Sequence, residues 1–468
     1  MKGPDRWLFY GLILIVIWVP FPFGSNRGWA WSLMELMTFT LFLTWYIKFG
    51  IRFNVDYIKP YKPLLYLIAF VQLWVLIQLI PLPMDLLNII APNTSQAYQL
   101  ANVDKAPISL DPARTQMQLL KGVAYLMIMF LVLVLVTSRE RLKILLYAMV
   151  FAGIFQAMYG SLFVLTGADA LFYESKQYSG TATGTFVYKN HFANFLMMSL
   201  SIGIGLLVAS LTSTKTKDIK RSIADMIDVL LSPKALMRMS LILMVIALVL
   251  SRSRMGNTAF FAAMSLVSVF ALIFMKQKTR GLLWLFGSML VIDIFIVSSW
   301  FGLENVKQRL VETSIQGETR DEVVRYGLEL VEKFPITGTG HGSFLSVFPS
   351  VKGPGVNMFY NFAHNEYLQF AIELGIPVTL LLGFLVLWSL WHAQYALRHR
   401  RRSLMKGTAF AAMMAIVGQL IHITVDFTLQ PPANALYFLI IICLDWMSRF
   451  SKFSSSSASR DKIRHNSN

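Results

Sequence analysis

The sequence predicts an all-α integral membrane protein, and three observations carry the prediction. Hydrophobic residues make up 56% of the chain and mean hydropathy is +0.56. Charged residues are 14%, against about 25% in soluble proteins. Apolar runs long enough to cross a bilayer, about twenty residues each, recur from one end of the sequence to the other.

About twelve such runs are expected, near 8–20, 29–46, 64–82, 119–136, 144–165, 192–211, 237–250, 259–275, 282–300, 368–391, 409–423 and 433–447. They divide the chain into helices one to nine (1–300), a large polar loop (301–367), helices ten to twelve (368–450) and a Ser-rich disordered tail (451–468). Lys2 and Arg6 precede the first run, but PFPFG offers no small-residue cleavage site, so an uncleaved first span is expected.

The net charge of +17 would suggest nucleic acid in a soluble chain. Here topology accounts for it and no nucleic-acid partner is expected. With a cytoplasmic N-terminus, the inner connections carry Lys48, Arg52, Lys59 and Lys62, then Arg139, Arg141 and Lys143. Lys215, Lys217, Lys220 and Arg221 follow, then Lys276, Lys278 and Arg280, and finally Arg398, Arg400, Arg401 and Arg402. Counted with the other basic residues of that side, both termini included, they make up roughly two-thirds of the 42 Lys and Arg, the bias expected of a cytoplasmic side. The only cysteine, Cys443, lies in an apolar run, which excludes a disulfide or a cysteine metal cluster.

The same topology collects five polar stretches on the outer face: 81–115, 180–194, 251–257, 320–375 and 422–435. The fourth is the longest interruption. Its first part, RDEVVRYGLELVEKF, reads as a helix. Val324, Leu328, Val331 and Phe334 form its expected apolar stripe, flanked by Val323 and Leu330. Arg325 falls on the charged side, where Asp321 and Glu329 are its i±4 partners. Arg320 falls on the packed side, where a guanidinium needs an anion; a bound phosphate and snorkelling to the surface both answer that need.

Arg252 and Arg254 lie between two apolar runs, as interfacial anchors or as a diphosphate clamp. His364 and Asn365 stand where the chain re-enters apolar sequence, and His341 lies in the turn GTGHGSF. A histidine near neutral pKa can accept a proton from an attacking hydroxyl; His191 and His422 are further rivals. The histidines lack metal-ligand spacing, so no metal is expected. GTGHG follows no strand and a Walker lysine is missing, which argues against nucleotide binding. Carboxylates at Glu366, Glu373 and Asp426 are costly at membrane depth unless paired, and an arginine partner is the plainest expectation.

Taken in order, ISLDPART, GTFVYKNHFANFL with Asn190, SRSRMG, Arg320, FPITGTGHGSF, AHNEYLQFAIELGIP and DFTLQPPANALYF resemble segments of the O-antigen ligase and polymerase family of bacterial inner-membrane proteins. The resemblance covers most of the chain, and Val324 departs from it where the family often has Trp. It implies a GT-C-like helical fold that needs no metal or other cofactor. It also implies transfer of a glycan from undecaprenyl diphosphate to a sugar hydroxyl at the periplasmic face. Arg320, Arg254 and His364 take the family's catalytic positions. Arg252, Asn190, Asn365, His341 and Asp426 are assigned to substrate binding. A lipid-linked glycan acceptor (polymerase) is preferred to lipid A core (ligase). A flippase for lipid-linked sugars is the reading from another class.

Overall fold

The computed structural model describes residues 5–50, 55–99, 101–167, 180–211, 233–276, 279–300, 320–353, 356 and 359–453. The tail beyond 453, the connection 301–319 and the expected inner cations Arg52, Lys215, Lys217, Lys220, Arg221 and Lys278 lie outside those residues. Every expected span coincides with a helix. The helices are α1 (Arg6–Trp18), α2 (Gly28–Phe49), α3 (Lys62–Ile77), α4 (Met84–Ile90), α5 (Pro92–Gln99), α6 (Pro112–Leu135), α7 (Arg139–Thr166), α8 (Lys189–Leu211) and α9 (Pro233–Leu250). They continue as α10 (Arg254–Phe274), α11 (Arg280–Trp300), α12 (Arg320–Lys333), α13 (Phe344–Val347), α14 (Glu366–Leu374), α15 (Ile376–His399), α16 (Ser403–His422) and α17 (Pro432–Phe450). Among the described residues eight helices are long and apolar enough to cross a membrane, and three shorter apolar ones accompany them. The chain is therefore a helical integral membrane protein.

The centre of the bundle is the antiparallel pair α8 and α16. A Cβ at Gly205 would come 2.4 Å from the Gly407 carbonyl, and one at Gly407 would come 2.2 Å from the Gly205 carbonyl. Only glycine lets these backbones cross so closely, as small residues do wherever helices associate without a hydrophobic drive. Asn194 Nδ2 donates to Gln419 Oε1 (3.0 Å) across the same pair.

Contacts between connections sort into two sets, one at each end of the bundle. At one end Arg141 binds Asp5, Tyr61 meets Ser451, Thr279 donates to the Leu211 carbonyl and Arg400 to that of Arg449. Ser451 and Phe453, at the expected start of the tail, are bonded there through their carbonyls to Arg400 and Arg402. At the other end Thr185 donates to the Pro20 carbonyl, Ser253 to Asn190, and Gln78 to Thr337. Successive connections alternate between the two sets, as successive crossings require.

The second end carries a lobe built from two distant stretches. One is α4, α5 and a two-residue antiparallel ladder pairing Leu82 with Ala106 and Pro83 with Lys105. The other is α12 to α14, whose own core holds Val323, Leu330, Phe334, Phe344, Phe348, Leu368 and Ile372. The buried line of α12 is Val323, Gly327, Leu330 and Phe334, whereas Leu328 is 51% exposed. The expected stripe is thus rotated. Gly327 sets the register, because it lets α12 close on Leu368 and Ile372. Arg325 is exposed with its guanidinium over the Tyr326 ring (5.5 Å), in place of the expected ion pairs.

The expected tenth span is broken. Gly375, at φ +83°, ends α14, and α15 starts at Ile376 with a proline in its first turn. A Cβ on Gly375 would lie 2.1 Å from the Ile336 carbonyl, and a non-glycine residue is strained at that φ. Residues 366–374 consequently belong to the lobe, and the crossing begins after them.

Glu366 ties the lobe to the α16–α17 connection. Its backbone N–H donates to the Ile423 carbonyl (3.0 Å), and its carboxyl accepts from Leu429 N (2.8 Å) and Gln430 Nε2 (2.9 Å). An arginine partner was expected, but the connection supplies amides. Burial pushes this carboxyl up to about 8, more than the two donors lower it.

A raised folded-state pKa contributes stability below the ordinary glutamate range that is lost as pH rises through about 8. The thermal unfolding temperature of the detergent-solubilised protein should therefore fall between pH 5 and pH 8.5, and Glu366→Gln should flatten that slope. A wild-type slope that survives the substitution would assign it to another group. Gly375→Ala should lower the unfolding temperature by several degrees, through a strained φ and a backbone clash together worth about 1–3 kcal/mol.

Candidate active site

The α9–α10 turn is the three residues Ser251, Arg252 and Ser253, and the serines build it. Ser253 caps α10 by accepting from Gly256 N (3.2 Å), and Ser251 Oγ accepts from Ser253 N (3.2 Å). Arg252 sits between them at φ +50°, and Arg254 opens α10; both arginines are exposed. Ser253 Oγ donates to Asn190 Oδ1 (2.7 Å). Asn190 Nδ2 in turn donates to the Tyr188 hydroxyl (2.7 Å) and to Asp426. The turn carrying both arginines is thereby fixed to the start of α8 and to the α16–α17 connection. Asp426 is 1% exposed and also accepts from Phe427 N (2.8 Å), so an asparagine and an amide meet this carboxylate.

Phe427 is the hub of the next layer. Its ring stacks on Tyr188 (5.6 Å between centroids) and on Phe362 (4.6 Å). His191 and His364 meet it nearly at right angles, at 5.0 and 4.7 Å. His364 also meets Tyr360 edge-on at 5.7 Å. His364 has φ +52°. Among the described residues, it and Arg252 are two of five non-glycine positions with positive φ, and such strain concentrates at functional sites. Asn365 explains where His364 ends up. Its side chain caps α14 by accepting from Leu368 N (3.1 Å), which leaves the histidine one residue outside the helix.

Arg320 opens α12, and only its backbone is described. α12 and α14 run side by side in the same direction. Gly327 lies against Leu368 and Ile372, and the Ile336 carbonyl lies against Gly375. The first turn of α12 therefore lies at the His364 end of α14. By helical register position 320 follows the line of 323, 327 and 330.

His341 is at the other end of α14, a nine-residue helix of about 13 Å. Its turn needs positive φ at Gly338, Gly340 and Gly342. Gln78 holds the turn by donating to the Thr337 (2.8 Å) and Glu373 (2.9 Å) carbonyls and accepting from His341 N (3.1 Å). The Glu373 carboxylate accepts from Gly342 N (2.8 Å), Phe344 N (3.3 Å) and Gln369 Nε2, and pairs with His341 Nδ1 at 2.9 Å. Its partner is a histidine and a nest of amides, where an arginine was expected. Gln369 Oε1 also accepts from Ala363 N (2.7 Å), so one amide spans both ends of α14.

The structure thus brings together Arg252, Arg254, Asn190, Asp426, His364 and Asn365, with the first turn of α12 beside them. It sets His341 apart. The rival bases His191 and His422 are 3% and 0% exposed; His422 Nδ1 lies 3.2 Å from Asn194 Oδ1. Tyr188, Phe362 and Phe427 were not singled out by the sequence; the aromatic spacing in VYKNH and VDFT was the available signal. Among the described residues no three His, Cys, Asp or Glu side chains group as a metal ion would need.

The arrangement can place two cations and a histidine around one polar, partly open end of an apolar bundle. No curated protein matches the chain. Residues 239–385, from α9 into α15, match the family model described as O-antigen ligase. That segment, about a third of the chain, is the part similar to the family, and it holds both arginines of the α9–α10 turn, Arg320, His341 and His364.

Proposed function

We propose that this protein transfers a glycan from a polyprenyl diphosphate carrier to the hydroxyl of an acceptor sugar. The reaction takes place at the periplasmic face of a bacterial inner membrane that the chain crosses twelve times. One observation carries the proposal: the Arg254 turn, the Asn190–Asp426 link, the His364 turn and the first turn of α12 meet at one end of the bundle. The basic residues Arg141, Arg400, Arg402 and Arg449 gather at the opposite end, which supports a cytoplasmic assignment for that end.

A glycosyl diphosphate is already activated, so the site has two tasks. Arg254 and Arg320 neutralise the diphosphate and the charge that grows on it as the bond from the anomeric carbon to phosphate oxygen breaks. His364 takes the proton of the acceptor hydroxyl as that oxygen attacks the opposite face of the carbon, with inversion. The diphosphate leaves with the bonding pair. Asn365 fixes the histidine, Asn190 and Asp426 fix the arginine turn, and Arg252 extends the cationic surface. Apolar space between the helices holds the carrier chain. Donor and acceptor are both membrane-borne, and polymerase is preferred to ligase acting on lipid A core.

Transfer by purified protein, with lipid-linked donor and no added metal, tests the proposal. Arg254→Ala and Arg320→Ala should each abolish transfer at equal protein levels, and Arg320→Lys should be poor if phosphate is held by a two-pronged contact. Arg325→Ala should be mild, since its exposed guanidinium only covers a tyrosine ring. A dead Arg325→Ala beside an active Arg320→Ala would reverse the assignment. His364→Ala should lose ~10²–10⁴ in rate while donor still binds. Near-normal turnover would remove it as the base. Chelator should leave wild-type turnover intact.

A further inference from the structure

Beneath α14 lies a cavity of about 240 Å³ that the reaction above does not use. Its walls are membrane-spanning helices: Ile68 and Val71 from α3, Tyr125 from α6, Leu385 from α15 and Phe438 from α17. Tyr367, Phe370 and Leu374 of α14 form its roof. The lining is mostly apolar, with His341, Gln118 and Gln430 at the lobe and Gln72, Thr379 and Gln419 on the crossing helices as its polar members. A space walled by crossing helices admits a chain from the lipid phase, and its polar border marks where a head group would stop.

We propose that this cavity and the His341–Glu373 pair form a second substrate site, which holds the single hydrocarbon chain and sugar head of a lipid-linked acceptor. The proposal rests on the transfer reaction above and narrows its substrate class. Three observations support it. First, His341 is separated from His364 by the full length of α14, about 13 Å, and the arginine turn lies at the His364 end. A diphosphate held by those arginines therefore leaves this border to another head group.

Second, the Glu373 carboxylate already accepts from two backbone amides and Gln369, so His341 comes to it as a further donor through Nδ1. That fixes the neutral ring in the Nδ1–H tautomer and leaves Nε2 as its acceptor. An acceptor nitrogen suits a sugar hydroxyl. Third, His341 is partly open, whereas Glu373 is 1% exposed, so the pair presents the imidazole and hides its support. Gln369 links Glu373 to Ala363, beside His364, so the two head-group positions share one rigid mount.

Gly383 of α15 lines the cavity, and a Cβ placed there meets nothing within 4 Å. Gly383→Leu therefore puts a side chain into the space with no clash at its Cβ. Wild-type protein in nanodiscs should bind two undecaprenyl phosphate molecules by native mass spectrometry, and Gly383→Leu one. In the transfer assay Gly383→Leu should raise KM for lipid-linked acceptor about tenfold, with kcat held within about twofold. A water-soluble acceptor glycan should be used equally by both proteins. His341→Ala should also raise KM for the lipid-linked acceptor, by the several-fold that one lost hydrogen bond allows.

One bound chain in the wild type that Gly383→Leu removes would make the cavity the donor's own chain site and overturn the proposal. One chain in both proteins would overturn it by showing that no chain enters. If the wild type binds two chains, one of them lost in Gly383→Leu, yet transfers no glycan, the two-site geometry stands and the transfer reading fails.

Discussion

The carboxylate of Glu373 ties the glycine turn of the lobe to α14. It stands near the end of α14, two residues before the chain turns at Gly375 into a crossing helix. Two amides of the glycine turn, the side-chain amide of Gln369 and the imidazole of His341 converge on it. A buried carboxylate without such donors would be costly by several kcal/mol. With them it pins the turn, and through the turn it pins Gln78 and the end of α3. The position of α14 over the bundle follows, and with it the position of His364 at the other end.

The same economy governs the arginine turn. A bilayer tolerates irregular backbone only where it is buried in protein or lines a polar space. The α9–α10 turn meets that condition through Ser251 and Ser253, which satisfy its amides, and through Asn190, which hands its load to Asp426. Phe427 then joins the polar link to the aromatic layer that carries His364. Arg254 and His364 are more than a hundred residues apart in sequence and share one frame.

Much of the bundle was legible because hydropathy reports burial in lipid directly, and a helix stands at each expected span. The break at Gly375 was harder, since IELGIPV is apolar on both sides. Its signal was the glycine with a proline two residues on, the pattern of one helix ending and another starting. The face of α12 was misread because Val323, Val324, Leu328, Leu330 and Val331 spread over nearly half the helix. A glycine, invisible to a count of apolar residues, decided which part faces α14. His364, Asn365, Arg254, Asn190 and Asp426 were named at polar interruptions, by residue type together with the family resemblance. The Phe427 hub and the Glu373 nest were not, because each depends on contacts between segments distant in sequence.

Gln78 has a consequence for how the molecule is made. Its side chain bonds to Thr337 and to Glu373, 259 and 295 residues further along the chain. A ribosome that has just completed α3 leaves this amide waiting until most of the remaining helices have entered the membrane. Closure of so long a loop comes late and slowly. The lobe is therefore among the last parts to assemble, and chains that stop before Gly375 also lack α16, the central partner of α8. Membrane proteases that recognise unsatisfied polar groups at the bilayer surface would meet such chains at Gln78.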